Sequence, residues 1–127
     1  MTWSRIGRIL RCLVDLAIYD FTCALGGFQA IRNRLAAFPV RARKLAPPVP
    51  ELVKSFEWAT TLYWKPVRCL QRSTVTVRMM RQHGIDAHLV IGYRPVPFLS
   101  HAWVEVNGAV VNDSPSYQRR LQVLDRV

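Results

Sequence analysis

Acidic side chains are scarce in this sequence: 8 Asp and Glu stand against 18 Lys and Arg, leaving a net charge of +10. Fifteen of the basic residues are arginine, scattered from Arg5 to Arg126 with no dense run. Nucleic-acid binders stack such charge on one face beside exposed aromatics, so an acidic peptide or protein is the better expected partner. Cysteines number three, an odd count that argues against a secreted disulfide framework. Long apolar runs are missing too. Behind Arg5, Arg8 and Arg11 an apolar stretch begins like a signal peptide, but Asp15 and Asp20 interrupt it well short of the ~18 residues that cross a bilayer. No GxGxxG or GxxxxGK cradle accompanies Val90-Ile91-Gly92, and no spacing of Cys69 with His83, His88 or His101 matches a zinc site. Repeats and low-complexity segments are absent. The expectation is a soluble cytoplasmic protein without membrane attachment, nucleic acid, metal or cofactor.

What is present is a core. Half of the 127 residues are hydrophobic, enough for one domain spanning 1–127 to fold without disulfides or a structural metal. Its first part, 1–65, reads as helical. Thr2 is a plausible N-cap, and Ile6, Ile9, Leu10, Leu13, Val14, Ala17, Ile18 and Phe21 recur at helical spacing. Gly26-Gly27 should break that helix, and a shorter one from Phe28 to about Phe38 should end at Pro39. Cys12 and Cys23, about 16 Å apart along one helix, cannot bond to each other and are expected as buried packing. Pro47, Pro48 and Pro50 mark an extended connector before a helix from Glu51 to about Tyr63.

The second part, 66–127, changes character. Leu70 to Gln82 has one apolar face and Gly84 as its stop, although Thr74-Val75-Thr76-Val77 is weak in helix propensity. Ala87 to Tyr93 reads as a strand. Pro95 and Pro97 make a loop, and His101–Val106 with Ala109–Asp113 form a hairpin around Asn107-Gly108. Helices followed by strands give an α+β fold with a small antiparallel sheet.

Cys69, His101 and Asp113 are the residue types of a thiol-nucleophile triad. A cysteine attacks carbonyls as its thiolate, and a helix start supplies unpaired N–H groups and a positive dipole end that favour that form. An imidazole takes the proton and later returns it to the leaving amine, and a carboxylate fixes the imidazole's tautomer. Hairpin register decides whether the last two meet. A strict two-residue Asn-Gly turn pairs Val106 with Ala109 and sets His101 and Asp113 on opposite faces. A three-residue bulged loop pairs Glu105 with Ala109 and sets them opposite each other, so the triad reading calls for the bulge. Taken singly, each residue has an ordinary explanation: a packed cysteine, a turn aspartate. His83 reads as a solvated residue at a helix C-terminus, and His88 as structural beside Asp86.

The run from Cys69 to Asp113 resembles the lasso-peptide biosynthesis B2 proteins, leader peptidases of the transglutaminase-like (papain-like) superfamily. Cys69-Leu70-Gln71-Arg72-Ser73, the stretch Arg81 to Gly92, Pro97-Phe98, His101-Ala102-Trp103-Val104-Glu105-Val106 and Val111-Asn112-Asp113 carry the resemblance. It implies a catalytic helix packed on a small antiparallel sheet, with Cys69 as nucleophile, His101 as base and acid, and Asp113 as the orienting residue. The first oxyanion donor would be the Cys69 N–H; Trp64 resembles an indole donor but fits equally as core. The implied activity is removal of the leader from a ribosomally made precursor, together with a separate B1-type leader-recognition protein. The freed amine would go to an ATP-dependent macrocyclase, a further candidate partner. Another transglutaminase-like amidase or acyltransferase, or an inactive interaction module, would use the same fold.

Overall fold

The computed structural model describes residues 2–43 and 45–127. Helix α1 spans Trp3–Ala36, and the Thr2 hydroxyl accepts a hydrogen bond from the Arg5 N–H at 3.2 Å, as an N-cap should. The helix is bent at Gly27, whose φ of 66° and ψ of −160° lie outside the helical region and suit only a residue without Cβ. The expected break is therefore a kink within one long element. Helix α2, Val49–Leu62, follows the proline connector, and α3, Cys69–Gln82, runs through the centre of the molecule. The Thr-Val-Thr-Val stretch is buried in α3, so packing on both sides overrides its weak propensity.

Strands β1 (Ala87–Pro95), β2 (Phe98–Val106), β3 (Ala109–Val110) and β4 (Gln122–Arg126) form one antiparallel sheet in the order β3-β2-β1-β4, and a short helix α4 (Ser116–Arg120) precedes β4. This is the α+β arrangement expected. Sequence reading assigned neither α4 nor β4. Alternation along the sheet sorts its two faces. Leu89, Ala102 and Val104 join the helices in the main core, while Val90, Trp103 and Leu121 form a second cluster on the opposite side. Gly92, opposite His101, admits the Trp103 ring so closely that a Cβ there would lie 2.6 Å from it.

The hairpin register differs from the one the triad reading called for. Val106 pairs with Ala109 and Glu105 with Val110, the strict two-residue turn. Asn107 and Gly108 both hold positive φ, 52° and 78°, the conformation whose twist matches the flanking strands; Asn tolerates it and Gly favours it. No bulge is needed, and none forms.

Candidate active site

Cys69 is the first residue of α3. Arg68 precedes it as an extended N-cap and offers no side-chain hydrogen bond to the helix start. The first intrahelical bond runs from the Arg72 N–H to the Arg68 carbonyl at 2.8 Å, so the amides of residues 69–71 lie ahead of the helical ladder. The half-buried thiol stands among the N-terminal helices. Gln71 donates to the Leu16 carbonyl at 3.1 Å, the Tyr63 hydroxyl donates to Asp20, and Lys65 pairs with Asp20 at 2.6 Å. The Tyr19 phenol is raised above the ordinary tyrosine range by burial first, then by nearby Cys23, Asp20 and Cys69. At Asp20 burial opposes the charge, but hydrogen bonds from Lys65 and Tyr63 prevail and hold the carboxyl below its usual range. These contacts fix the loop that delivers Cys69.

His101 and Asp113 meet despite the register: Nε2 lies 2.6 Å from Oδ2. The reason is that β3 is only two residues long. The Val111 N–H still reaches the Val104 carbonyl at 3.0 Å, but then the Asn112 side chain replaces the main-chain ladder. Its Oδ1 accepts from the Val104 N–H at 2.9 Å and its Nδ2 donates to Ser73 Oγ at 3.2 Å. Ser73 Oγ in turn donates to the Ala102 carbonyl at 3.2 Å. The chain bends at residues 111–113 and turns Asp113 back onto the imidazole. Tyr117 of α4 stacks on the same ring, centroids 3.9 Å apart and planes inclined by 24°.

A cleft of about 530 Å³ opens between α3 and the sheet, and its wall includes Cys69, Leu70, His101, Phe28 and Leu124. Its lining is mostly apolar, as a cleft that takes a peptide segment should be. Cys69 and His101 both line this cleft, although no hydrogen bond among the described residues joins them. His101 belongs by strand alternation with Trp103 and Glu105 rather than with the residues under α3. The structure thus brings His101 and Asp113 into contact and brings Cys69 to the same cleft.

Other expectations need correction. Trp64 is 80% exposed and lies beside Lys65, so it is neither core nor part of the cleft. Cys12 is buried as expected, but Cys23 is exposed. His83 is not a solvated helix end: it is half-buried, with Nδ1 2.8 Å from the Met79 carbonyl. Burial first, and then Arg43 and Arg8, hold its imidazole below the ordinary range against that bond. His88 pairs with Asp86 at 3.2 Å, as read. Sequence reasoning missed Ser73, Asn112 and Tyr117. The first two lie inside the resembling motifs, so their proximity to Cys69 and Asp113 was a usable signal; Tyr117 lies in a segment with no assigned element.

A family model described as Transglutaminase-like superfamily matches residues 15–126. The chain belongs to this superfamily. It is also 48% identical over 59 residues to the Microcin J25-processing protein McjB of Escherichia coli, a stretch covering 46% of this chain and 28% of that protein. The chain thus matches well under half the length of this relative. No solved structure matches significantly. Among the described residues no helix is long and apolar enough to cross a membrane.

Proposed function

We propose that this chain is a cysteine peptidase that removes the leader from a lasso-peptide precursor. The observation that carries the reading is the contact between His101 and Asp113, with His101 lining the cleft that Cys69 also lines. Likeness to a microcin-processing protein supports the substrate class. Asp113 holds Nε2–H, which leaves Nδ1 as the imidazole nitrogen free to take the thiol proton. Sγ attacks the scissile carbonyl carbon, and the oxyanion forms beside the Cys69 N–H at the open start of α3. Collapse breaks the C–N bond, and His101 gives its proton to the departing amine. Water, deprotonated by the same imidazole, then hydrolyses the thioester. In this reading the contact between thiol and imidazole is made when substrate occupies the cleft, since such bonds are often long in free enzymes. Asn112 and Ser73 act through Asp113 and β2 as positioning residues.

The leader is captured by a separate recognition protein, which raises the local precursor concentration at the cleft into the millimolar range. With a net charge of +10, docking onto acidic leader or partner surfaces weakens as salt rises. The test is mass spectrometry of full-length precursor incubated with the chain, with and without the recognition protein, at low and high salt. Leader-free product that depends on the partner supports the reading. Equal cleavage without the partner removes the split-recognition part, and acyl transfer to an added amine in place of hydrolysis assigns the chain to the acyltransferases instead.

A further inference from the structure

Ahead of Gly27, α1 is apolar on two opposite sides. Ile9, Cys12, Leu16 and Tyr19 fill the core. Facing away from it, Trp3, Leu10, Val14, Phe21 and Leu25 are between 52% and 88% exposed. An exposed apolar stripe of this length on the side away from the core is the kind of surface that a partner covers. The outer stripe runs Trp3, Gly7, Leu10, Val14, Ala17, Phe21, in alternating steps of four and three residues. That is the spacing of a seam between two helices. By size its order is the same from either end: aromatic, small, aliphatic, aliphatic, small, aromatic. An interface on a two-fold axis has this property, because residue i meets j while j meets i.

We propose that two copies of this chain pair antiparallel through α1, with Trp3 against Phe21, Gly7 against Ala17 and Leu10 against Val14 of the other copy. Charge permits it even in a chain of net +10. Arg5 and Arg8 turn inward to Glu51, and the positions immediately flanking the stripe carry one base, Arg11, and one acid, Asp20. Area supports it as well. The exposed large side chains offer roughly 600 Å² per copy, close to the ~800 Å² per partner of stable complexes.

The experiment is light scattering on the eluting full chain, with circular dichroism to confirm that each variant is folded. The wild type should elute at twice its 14.6 kDa mass, and more completely so in salt, which screens the overall repulsion. Leu10→Glu and Val14→Lys should each halve that mass. The double variant should restore it, because antiparallel pairing sets the new acid against the new base of the other copy; parallel pairing would set like charges together. A folded wild type that is monomeric at every concentration overturns the proposal, as does a double variant that stays monomeric. A monomer that sediments with anionic vesicles also overturns it and assigns the face to a membrane surface.

Discussion

The two ends of α3 are treated in opposite ways. At the C-terminal end, buried Arg81 donates to four carbonyls: Leu35 at 2.9 Å, Phe38 at 3.0 Å, Ala87 at 3.0 Å and Val127 at 3.1 Å. One guanidinium therefore ties the end of α1, the connector after it, the start of β1 and the chain beyond β4 to the central helix. The His83 ring and the Arg41 N–H add bonds to the Met79 and Arg81 carbonyls. At the N-terminal end no side chain caps the helix, and the first residue is a thiol on a cleft wall. Helix ends normally find partners for their orphan groups. An end left open opposite so well tied an end is where a substrate oxygen can be received, and the tied end is what keeps the open one in place.

That contrast can be broken at either end. Cys69→Ala should give the largest change in activity, a loss of at least about 10³-fold in precursor cleavage, with a melting temperature close to wild type. A variant that melts much earlier would show the thiol to be structural. Asp113→Asn should lower kcat by on the order of 10²–10⁴-fold through the wrong imidazole tautomer, with little change in KM. Arg81→Ala should act on stability instead. It takes a donor from four carbonyls, of which Leu35 and Val127 keep a main-chain partner, costs about 3 kcal/mol, and should lower the melting temperature by roughly 10 °C. Arg81→Lys should recover only part of this, since one ammonium cannot span four acceptors.

A smaller effect sharpens the comparison through pH. Burial works against the charge of Glu105, but hydrogen bonds from Arg126 and Trp103 hold its carboxyl below the usual range, and Asp20 behaves alike beside the open end of α3. A carboxyl lowered on folding stabilises above its unfolded pKa, about 4, and that stability fades as pH falls through the folded value. His83, whose imidazole is likewise lowered on folding, should already erode the urea midpoint as pH falls below about 6.5, and Glu105 and Asp20 should add a steeper drop below about 4. Glu105→Gln and Asp20→Asn should each flatten the drop, and an unchanged acid slope in both would remove these groups from the account.

Much of the fold was legible because helical periodicity and punctuation agree: Thr2, Gly27, Gly84 and the Asn107-Gly108 turn all lie where the sequence placed them. The candidate site was legible as residue types, since a thiol at a helix start and a His–Asp pair at a hairpin carry their own chemistry. How His101 reaches Asp113 was not. Strand-pairing rules assume that a ladder continues, whereas β3 stops after Val110 and the Asn112 side chain takes over its hydrogen bonds. Helix α4 and β4 were invisible for a related reason. Exposed Gln122, Val123 and Leu124 on an edge strand show no clean alternation, so only pairing with β1 defines them. Arg81 opens the resembling stretch Arg81 to Gly92, but its role was hidden, because a buried arginine serving main-chain carbonyls looks like any helical arginine.

A thiol activated by His101 at the open end of α3 should show itself in competitive alkylation. Exposed Cys23 is an internal control for accessibility, and buried Cys12 for protection. Peptide mapping after brief exposure to iodoacetamide at neutral pH should find half-buried Cys69 modified well ahead of Cys23, with Cys12 last. In His101→Ala that lead should vanish while Cys23 keeps its rate. Labelling that simply follows exposure, with Cys23 first in both proteins, would contradict the account.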